Sequence, residues 1–241
     1  ANGYWEYLYE NGQPKMRGEL KNGQNQGVWE YFFENGRLEM KGVVDDSLRN
    51  GPWTFYYENG ALKSEGAFEQ GQKAGLWKEY YEGGSVKVEA IYQGDTTQYQ
   101  EFYASGDLKL EGAEVNGKRQ GLWKNYYENG SLRAEGRYQE GKRQDSWKFY
   151  YLNGQISSVG DFLDDSSVGK WTYYYENGHV SAEGAERDGV REGYWKLYHS
   201  DGDFKGEAVF NHGEGIYREF YPEGAVKIEG KLSNGVHQGK W

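Results

Sequence analysis

One pattern of sixteen residues restarts ten times along the 241-residue chain, and it restricts the available folds more than any other feature. The pattern is G-x-W-x-x-Y-Y-x-N-G-x-L-x-x-E-G, and residues 51–66 match it most fully. The copies begin at Gly3, Gly27, Gly51, Gly75, Thr97, Gly121, Asp145, Gly169, Gly193 and Gly215. They are spaced by 24 residues, apart from two copies of 22 residues. Such a period predicts an array of units that pack on their neighbours, without one central core.

Aromatic residues must supply the buried area of this array. The chain contains 9 Trp, 23 Tyr and 10 Phe at fixed spacing, which is unlike a disordered composition. Its 37 Gly and only 3 Pro favour glycine turns between unbroken strands. The formal charge is -10, and Lys alternates with Glu along each copy. We therefore expect no nucleic-acid partner, because phosphate binding needs clustered Lys and Arg.

The cysteine content and the chain ends bear on the compartment. The chain has no Cys, which fits a reducing cytoplasm or a bacterial exterior and leaves the location open. No apolar run approaches the roughly 18 residues that a membrane span needs. An eleventh copy begins at Gly239 and stops at Trp241, and no signal-like segment follows Ala1. We expect the chain to be part of a longer array.

Each copy is predicted to form a β-hairpin. Counting from the first Gly, Trp is position 3, the Tyr pair is 6 and 7, Asn-Gly is 9 and 10, and Glu-Gly is 15 and 16. Asn-Gly between apolar runs predicts a two-residue type I′ turn, in which both residues have positive φ. A second turn is expected at linker glycines such as Gly71 and Gly117. The sequence therefore predicts an all-β, single-layer antiparallel meander of about 20 strands.

The turn position sets the expected register and faces. A turn at 9 and 10 pairs position 3 with 16 and position 7 with 12, so that Trp53 lies opposite Gly66 and Tyr57 faces Leu62. The missing side chain of Gly66 then leaves room for the indole. Positions 3, 5, 7, 12 and 18 form the expected core face.

The opposite face is predicted to carry a stripe of apolar residues, mostly aromatic, at position 6, between Lys at 13 and Glu at 15. These rings either cover the sheet and stack on Lys stems or form a ladder that contacts a partner. The candidate partner-binding residues are Phe32, Tyr56, Tyr80, Phe102, Tyr126, Tyr150, Tyr174, Tyr198 and Phe220. Because sheet twist accumulates over many strands, we expect an elongated, twisted half-pipe with a concave groove.

A longer period indicates an internal duplication. Both shortened copies end in Glu-Ala, at Ala90 and Ala208, and both are followed by Tyr in place of Trp, at Tyr99 and Tyr217. Each coincidence recurs after 118 residues. The array is interpreted as two sets of five hairpins, residues 1–118 and 119–241, which form one continuous array. If each half carries a site, binding would be bivalent.

No catalytic constellation is apparent, and no enzyme activity, metal or cofactor is expected. The four His occupy four different repeat positions: His179, His199, His212 and His237. The acidic pairs Asp45-Asp46 and Asp164-Asp165 lie in equivalent linkers, which offer too few oxygens for calcium. They are interpreted as solvated loop residues.

The spacing W-x-x-Y-Y-x-N-G-x-L-x-x-E-G, as in residues 77–90 and 123–136, resembles the variant MORN repeat of bacterial YwqK-like antitoxins. The resemblance covers essentially the whole chain. It implies a non-enzymatic array of hairpins, acting as an antitoxin or immunity protein that binds a toxin, or as a surface scaffold. It assigns no site residues, because the shared residues are those that build hairpins.

Two functions are compatible with the sequence. The first is a scaffold that binds another protein, either antitoxin-like or as a surface adhesive array. The second is carbohydrate or cell-wall binding, since aromatic rings in a groove stack on sugars, and Gly-Trp-Tyr-rich repeats of choline- and glucan-binding proteins are broadly similar. Exposed terminal strands also allow edge-to-edge association of two copies.

Overall fold

The computed structural model describes residues 1–221, 223–233 and 236–238, with only the backbone of His237. The beginning of the eleventh copy, Gly239–Trp241, lies outside the described residues. All regular elements among the described residues are β-strands. The chain divides into two compact units, Ala1–Gly117 and Lys118–Trp241. The predicted duplication has nearly the same boundary, and a common origin of the halves stays a prediction.

The first unit is an antiparallel meander in which each strand pairs with the next in sequence. Its strands are β1 (Gly3–Leu8), β2 (Pro14–Lys21), β3 (Gln24–Phe32), β4 (Leu38–Asp45), β5 (Leu48–Tyr56), β6 (Leu62–Glu69), β7 (Gln72–Tyr80), β8 (Val86–Gln93), β9 (Thr96–Phe102) and β10 (Leu108–Val115). The predicted single-layer hairpin array is confirmed in this unit.

The second unit is built in the same way. Its strands are β11 (Lys118–Tyr126), β12 (Leu132–Gln139), β13 (Lys142–Tyr150), β14 (Ile156–Leu163), β15 (Ser166–Tyr174), β16 (Val180–Arg187), β17 (Val190–Tyr198), β18 (Phe204–Asn211), β19 (Glu214–Phe220), β20 (Val226–Ser233) and β21 (Val236–Gln238).

The Asn-Gly turns differ from the prediction. In the third repeat Gly60 has φ +92°, but Asn59 does not have positive φ, so the turn is not type I′. Instead, Gly60 N–H donates to Tyr57 O at 2.8 Å, and Tyr57 N–H donates to Ala61 O at 2.8 Å. The Asn59 side chain accepts the Ala61 N–H at 2.8 Å. This is a three-residue loop with a left-handed Gly, stabilised by an Asx hydrogen bond.

Paired residues with positive φ occur at the linkers instead. Examples are Asn22 and Gly23, with φ of 53° and 83°, and Asp164 and Asp165, with φ of 51° and 73°. These two-residue turns connect one hairpin to the next and have the φ signature of type I′. The type I′ signature predicted for the Asn-Gly turns is therefore found at the linkers, for which only a turn was predicted.

The longer loop changes the register next to the turn. Trp53 pairs with Gly66 as predicted, but Leu62 pairs with Tyr56 and not with Tyr57, because the register shifts between Phe55 and Tyr56. Directly opposed residues share a face, so Leu62 lies on the face of Tyr56. The assignment of position 12 to the core face was wrong, since a shift of one residue reverses the face.

The indoles lie over the glycines of the preceding repeat, not of their own. A Cβ added to Gly66 would overlap the ring of Trp77, and one added to Gly42 would overlap that of Trp53. The same contact joins Gly18 to Trp29, Gly136 to Trp147, Gly160 to Trp171 and Gly184 to Trp195. These six Trp are at most 4% exposed. The pairing of Trp with Gly was predicted, but the glycine that accommodates each indole belongs to the neighbouring hairpin.

This contact explains the coincidence in the shortened repeats. Ala90 pairs with Tyr99, and Ala208 pairs with Tyr217, at the positions where other repeats pair Gly with Trp. A methyl group at position 16 leaves too little room for an indole, whereas the narrower phenol ring can replace it. Ala at 16 and Tyr at the following position 3 are therefore compensating substitutions.

Hydrogen bonds also connect successive hairpins near the turns. The hydroxyl of Tyr57 donates to Tyr80 O at 2.6 Å, and that of Tyr151 donates to Tyr174 O at 2.6 Å. Asn153 Nδ2 donates to Glu176 O at 3.0 Å. The position-7 Tyr, predicted to be a core residue, therefore joins the turn end of its hairpin to the next hairpin.

We predict that Gly66→Ala destabilises the first unit by about 1–3 kcal/mol, because its Cβ would overlap Trp77. Adding Trp77→Tyr should recover part of this loss, because the double variant reproduces the pair Ala90 and Tyr99. Urea unfolding of both single variants and the double variant measures this coupling. Ala90→Gly is the matched control and should cost less than about 1 kcal/mol. Equal additive losses in the double variant would contradict the steric explanation.

Candidate functional site

The register divides each hairpin into two faces. Trp53 lies opposite Gly66, and Phe55 lies opposite Ser64. These positions and position 18 form what we call the Trp face. Thr54 lies opposite Glu65 on the other side. Positions 2, 4, 6, 12, 15 and 17 form this second surface, which we call the Tyr face.

The candidate partner-binding residues lie in a row on the Tyr face of each unit. Every one is the last residue of the first strand of its hairpin: Phe32, Tyr56, Tyr80, Phe102, Tyr126, Tyr150, Tyr174, Tyr198 and Phe220. Phe32 is 8% exposed, and the others are half-buried. The rings therefore offer part of their surface to a partner, and a contact role for them stays a prediction.

Several of these tyrosines are fixed by a carboxylate of the preceding repeat. The hydroxyl of Tyr80 donates to Glu65 Oε1 at 2.7 Å, and that of Tyr150 donates to Glu135 Oε1 at 2.8 Å. Desolvation, followed by this hydrogen bond, raises the pKa of each phenol to about 12. The phenols of Tyr80 and Tyr150 are thus neutral near pH 7, and their hydroxyl groups are held in place.

The position-13 cations do not stack on the position-6 rings. Lys63 Nζ lies 5.7 Å from the ring centre of Tyr57, and Lys87 Nζ lies 5.8 Å from that of Tyr81. Both rings are at position 7, next to the turn. The expected Lys stacking therefore occurs on position 7 and not on position 6, because the register shift next to the turn moves position 13 toward the turn.

Large apolar residues at positions 2 and 17 are more exposed than the stripe. Tyr194, Val209 and Ile216 are 50%, 55% and 46% exposed. Tyr194 pairs with Val209, and Val209 pairs with Ile216, so the three lie side by side on β17, β18 and β19. We call this cluster the Tyr194 patch. In the first unit Leu76 and Ile91 are opposed in the same way and are 48% and 42% exposed.

Charged residues surround the Tyr194 patch. The Tyr194 hydroxyl donates to Glu207 Oε2 at 2.7 Å, and Lys170 Nζ lies 2.7 Å from Glu183 Oε2. Glu183 accepts hydrogen bonds from Lys170 and Tyr198, which lower its pKa. A shallow depression of about 310 Å³ opens between Lys170, Glu183, Ala185, Tyr194 and Lys196. An apolar centre within a charged rim is typical of a protein-binding surface.

Sequence reasoning missed the Tyr194 patch because positions 2 and 17 vary between copies. The consensus leaves both positions undefined, so only reading each copy separately shows which ones carry two large apolar residues. The alternation of side chains along a strand could have predicted it, because it places positions 2 and 17 on the same face as 4 and 6. Three copies stand out: those with Val28 and Val43, with Leu76 and Ile91, and with Tyr194 and Val209.

Carboxylates of the acidic linkers are hydrogen-bonded to nearby side chains. Asp165 Oδ1 lies 3.1 Å from Arg143 Nε, Asp164 Oδ1 accepts from Gln144 at 2.7 Å, and Asp45 Oδ1 accepts from Gln26 at 2.8 Å. Among the described residues, no three His, Cys, Asp or Glu are grouped as a metal site would require. The side chain of His237 lies outside the described residues. The part of the chain that the structure describes contains no helix long and apolar enough to span a membrane.

Comparison with known families identifies the hairpin unit. The model of the MORN repeat variant matches residues 25–46, 49–70, 73–93, 119–140, 167–184 and 213–234, slightly more than half of the chain. The chain belongs to the MORN repeat variant family. The match at 25–46, for example, spans the hairpin of β3 and β4. Membership identifies a repeat scaffold, and it assigns no partner.

Other comparisons add little to this assignment. No curated protein matches the MORN chain. Among solved structures, the crystal structure of TcdB2-TccC3-Cdc42 is similar over 95% of this chain, at 9% identity and a TM-score of 0.22. The MORN chain spans 14% of the length of that chain.

We predict that the raised tyrosine pKa values make stability fall at high pH. Unfolded tyrosine ionises near pH 10, whereas Tyr80 and Tyr150 ionise at about 12 when folded. Between these values the unfolded state holds fewer protons, so the free energy of unfolding decreases as pH rises. Urea midpoints at about pH 9 and pH 11.5 should fall less in the Tyr80→Phe/Tyr150→Phe variant than in the wild type. The exposed Tyr4→Phe is the control, and equal declines in all three proteins would contradict the prediction.

Proposed function

We propose that this MORN scaffold is non-enzymatic and binds another protein through its Tyr face, as an antitoxin, an immunity protein or a surface adhesive array does. The Tyr194 patch is the observation that carries the proposal. Three large apolar residues are about half exposed and directly opposed on three adjacent strands. Contiguous exposed apolar residues with a polar rim are a feature of interaction sites.

The geometry of the Tyr face favours a protein surface over a small substrate. Strands lie about 4.8 Å apart, so the patch extends roughly 10 Å across the sheet, and the half-buried position-6 row lies four residues further along the same strands. Tyr198 and Phe220 end β17 and β19, which also carry Tyr194 and Ile216. A flat partner could contact both sets of residues at once, with Lys170, Glu183 and Arg218 at the rim.

The chemistry of the face supports binding without catalysis. The pKa of Glu183 is lowered, mainly by Lys170, and the pKa values of Tyr80 and Tyr150 are raised to about 12. A general acid or base works best with a pKa near the operating pH. These groups are held away from that range, so they serve better as fixed hydrogen-bonding and charged contacts.

The patch has an equivalent in the first unit. Leu76 and Ile91 occupy the repeat positions of Tyr194 and Val209. If both bind, the two contacts would cooperate through effective concentration. Ile91→Lys and Val209→Lys, made singly and together in the full chain, test this. Bivalency predicts that each single variant weakens binding and that the double variant abolishes it, whereas an effect of only one substitution would contradict it.

A pull-down from host lysate with the immobilised chain tests protein binding. The Val209→Lys/Ile216→Lys variant places two charges in the exposed patch and should reduce the captured partner at least about tenfold. Leu152→Lys is the control, because Leu152 is 59% exposed in a hairpin turn outside the patch. Circular dichroism melting should show all three proteins equally folded.

Two outcomes would oppose the proposal. Equal capture by the wild type and the Val209→Lys/Ile216→Lys variant would exclude the Tyr194 patch as the binding surface. Binding on a glycan array that is lost in Tyr126→Ala and Tyr150→Ala, with no protein captured, would favour a carbohydrate ligand at the position-6 row instead.

A further inference from the structure

A cation covers the tryptophan at five places on the Trp face. The residue at position 23 of one repeat lies over the indole of the next repeat. The distances to the ring centres are 4.6 Å for Arg49 and Trp53, 4.4 Å for Lys73 and Trp77, 4.4 Å for Arg119 and Trp123, 6.0 Å for Arg143 and Trp147, and 4.3 Å for Arg191 and Trp195. Each contact combines attraction to the ring with burial of the side-chain stem.

The same cations also contact an aromatic ring at position 18. Arg49 lies 5.3 Å from the ring of Phe68, Lys73 lies 5.4 Å from that of Tyr92, and Arg143 lies 3.9 Å from that of Phe162. A cation at position 23 thus has two aromatic neighbours in the following repeat. This arrangement fills the space above the indole.

The arrangement is changed at both positions around Trp171, the indole of the eighth repeat. Ser167 occupies the place of the cation, and Glu186 occupies the place of the aromatic ring at position 18. Ser167 is too short to reach over Trp171, and its Oγ accepts the N–H of Gly189 at 3.0 Å. A carboxylate has therefore been added where the resident positive charge is missing.

A cavity of about 310 Å³ lies where the cation would be. It is lined by Arg143, Phe162, Asp165, Ser166, Ser167, Trp171, Glu186, Asp188 and Gly189. This volume is roughly ten times the share of one water molecule in the liquid. Phe162 and Trp171 are 8% and 4% exposed, and the cavity they line opens to solvent, so a ligand can reach its aromatic wall.

The indole of Trp171 is also held differently from its counterparts. Trp53 Nε1 donates to Val43 O at 2.8 Å, and Trp195 Nε1 donates to Ala185 O at 2.9 Å. Trp171 Nε1 is buried and has no hydrogen-bond partner. Its ring lacks both the resident cation and the hydrogen bond found at Trp53 and Trp195.

The charges around the cavity favour a positive ligand. Asp165, Glu186 and Asp188 contribute three carboxylates, against one guanidinium from Arg143. Arg143 is already bound to Asp165, at 3.1 Å from Nε to Oδ1. Glu186 accepts a hydrogen bond from the Tyr173 hydroxyl, and Arg191 is near enough to interact with it electrostatically while stacking on Trp195. The remaining acceptor capacity of Glu186 is available beside the Trp171 ring.

We propose that this cavity binds an alkylguanidinium group supplied from outside the chain, stacked on Trp171 and paired with Glu186. The ligand takes the place that Arg49, Arg119 and Arg191 fill in other repeats. It is either a free small molecule or an arginine side chain of a partner. The site lies on the Trp face and is independent of the Tyr194 patch.

Indole NMR of the 241-residue chain tests the site. The chain has 9 Trp, and the Trp171 signal is identified by its loss in Trp171→Phe. N-ethylguanidinium should shift the Trp171 indole signal in a saturable, millimolar titration, whereas N-ethylurea, a neutral analogue, should not. Equal effects of both compounds, or no shift at about 50 mM guanidinium, would overturn the proposal.

Two variants separate the site from non-specific binding. Ser167→Arg supplies the missing cation from within the chain and should weaken N-ethylguanidinium at least about tenfold, while raising the melting temperature. Glu186→Gln keeps the side-chain shape and should weaken binding about three- to tenfold. Unchanged affinity in Ser167→Arg, with the variant folded, would refute the cavity as the site.

A cavity created at the equivalent place in the first unit tests whether the Glu186 carboxylate is needed for binding. Lys73→Ser removes the cation above Trp77, where position 18 is Tyr92 in place of Glu. We expect no guanidinium binding there, because the cavity lacks the counterpart of Glu186. Equal binding at the Trp77 cavity would overturn the assigned role of Glu186.

A tripeptide, Gly-Arg-Gly, distinguishes the two sources of ligand. Affinity equal to or above that of N-ethylguanidinium supports an arginine side chain of a partner, because a peptide backbone is then accommodated. Markedly weaker binding supports a free small molecule.

Discussion

The contact between each indole and the glycine of the preceding hairpin is the interaction on which the array depends. A single-layer sheet has no second layer to bury its side chains, so each hairpin must be covered by its neighbour. Trp can cover the adjacent strand only where position 16 lacks a Cβ, as at Gly42 and Gly66. Burial of an indole removes about 150–250 Å² from water, worth roughly 4–6 kcal/mol as an upper bound. Trp5, whose strand pairs only with β2 among the described residues, is 42% exposed, in contrast to at most 4% for the indoles that lie on a preceding glycine.

The other contacts between repeats act in the same nearest-neighbour way. Tyr57 donates forward to Tyr80 O, whereas Trp53 Nε1 donates back to Val43 O. Arg49 lies over Trp53 of the following repeat. Each hairpin is thus fastened to its neighbours at its turn, at its centre and at its linker, and each of these contacts joins adjacent repeats. Stability in such an array is close to a sum over hairpins and their interfaces, so one weakened interface can be tested locally.

The sequence predicted the pairing within one hairpin better than the turn type or the packing between hairpins. The meander, the Trp53–Gly66 pairing and the position-6 row follow from the period and from strand alternation, and the structure has them. The turn type was missed, because Asn59 adds a side-chain hydrogen bond that favours a three-residue loop over type I′. That loop moved Leu62 to the other face. The glycine partner of each indole was misassigned because pairing within a hairpin does not reveal which neighbour an indole leans on.

Departures from the repeat fall into two physical kinds. Ala90 with Tyr99, and Ala208 with Tyr217, compensate each other, since a smaller ring accompanies the added methyl and the packing remains filled. Ser167 and Glu186 do not compensate, since a lost cation and a gained carboxylate leave a cavity of about 310 Å³ beside a buried indole. A compensated pair needs only the stability of the array to explain it. An uncompensated pair is more costly for the isolated chain, and a ligand that supplies the missing charge would offset that cost.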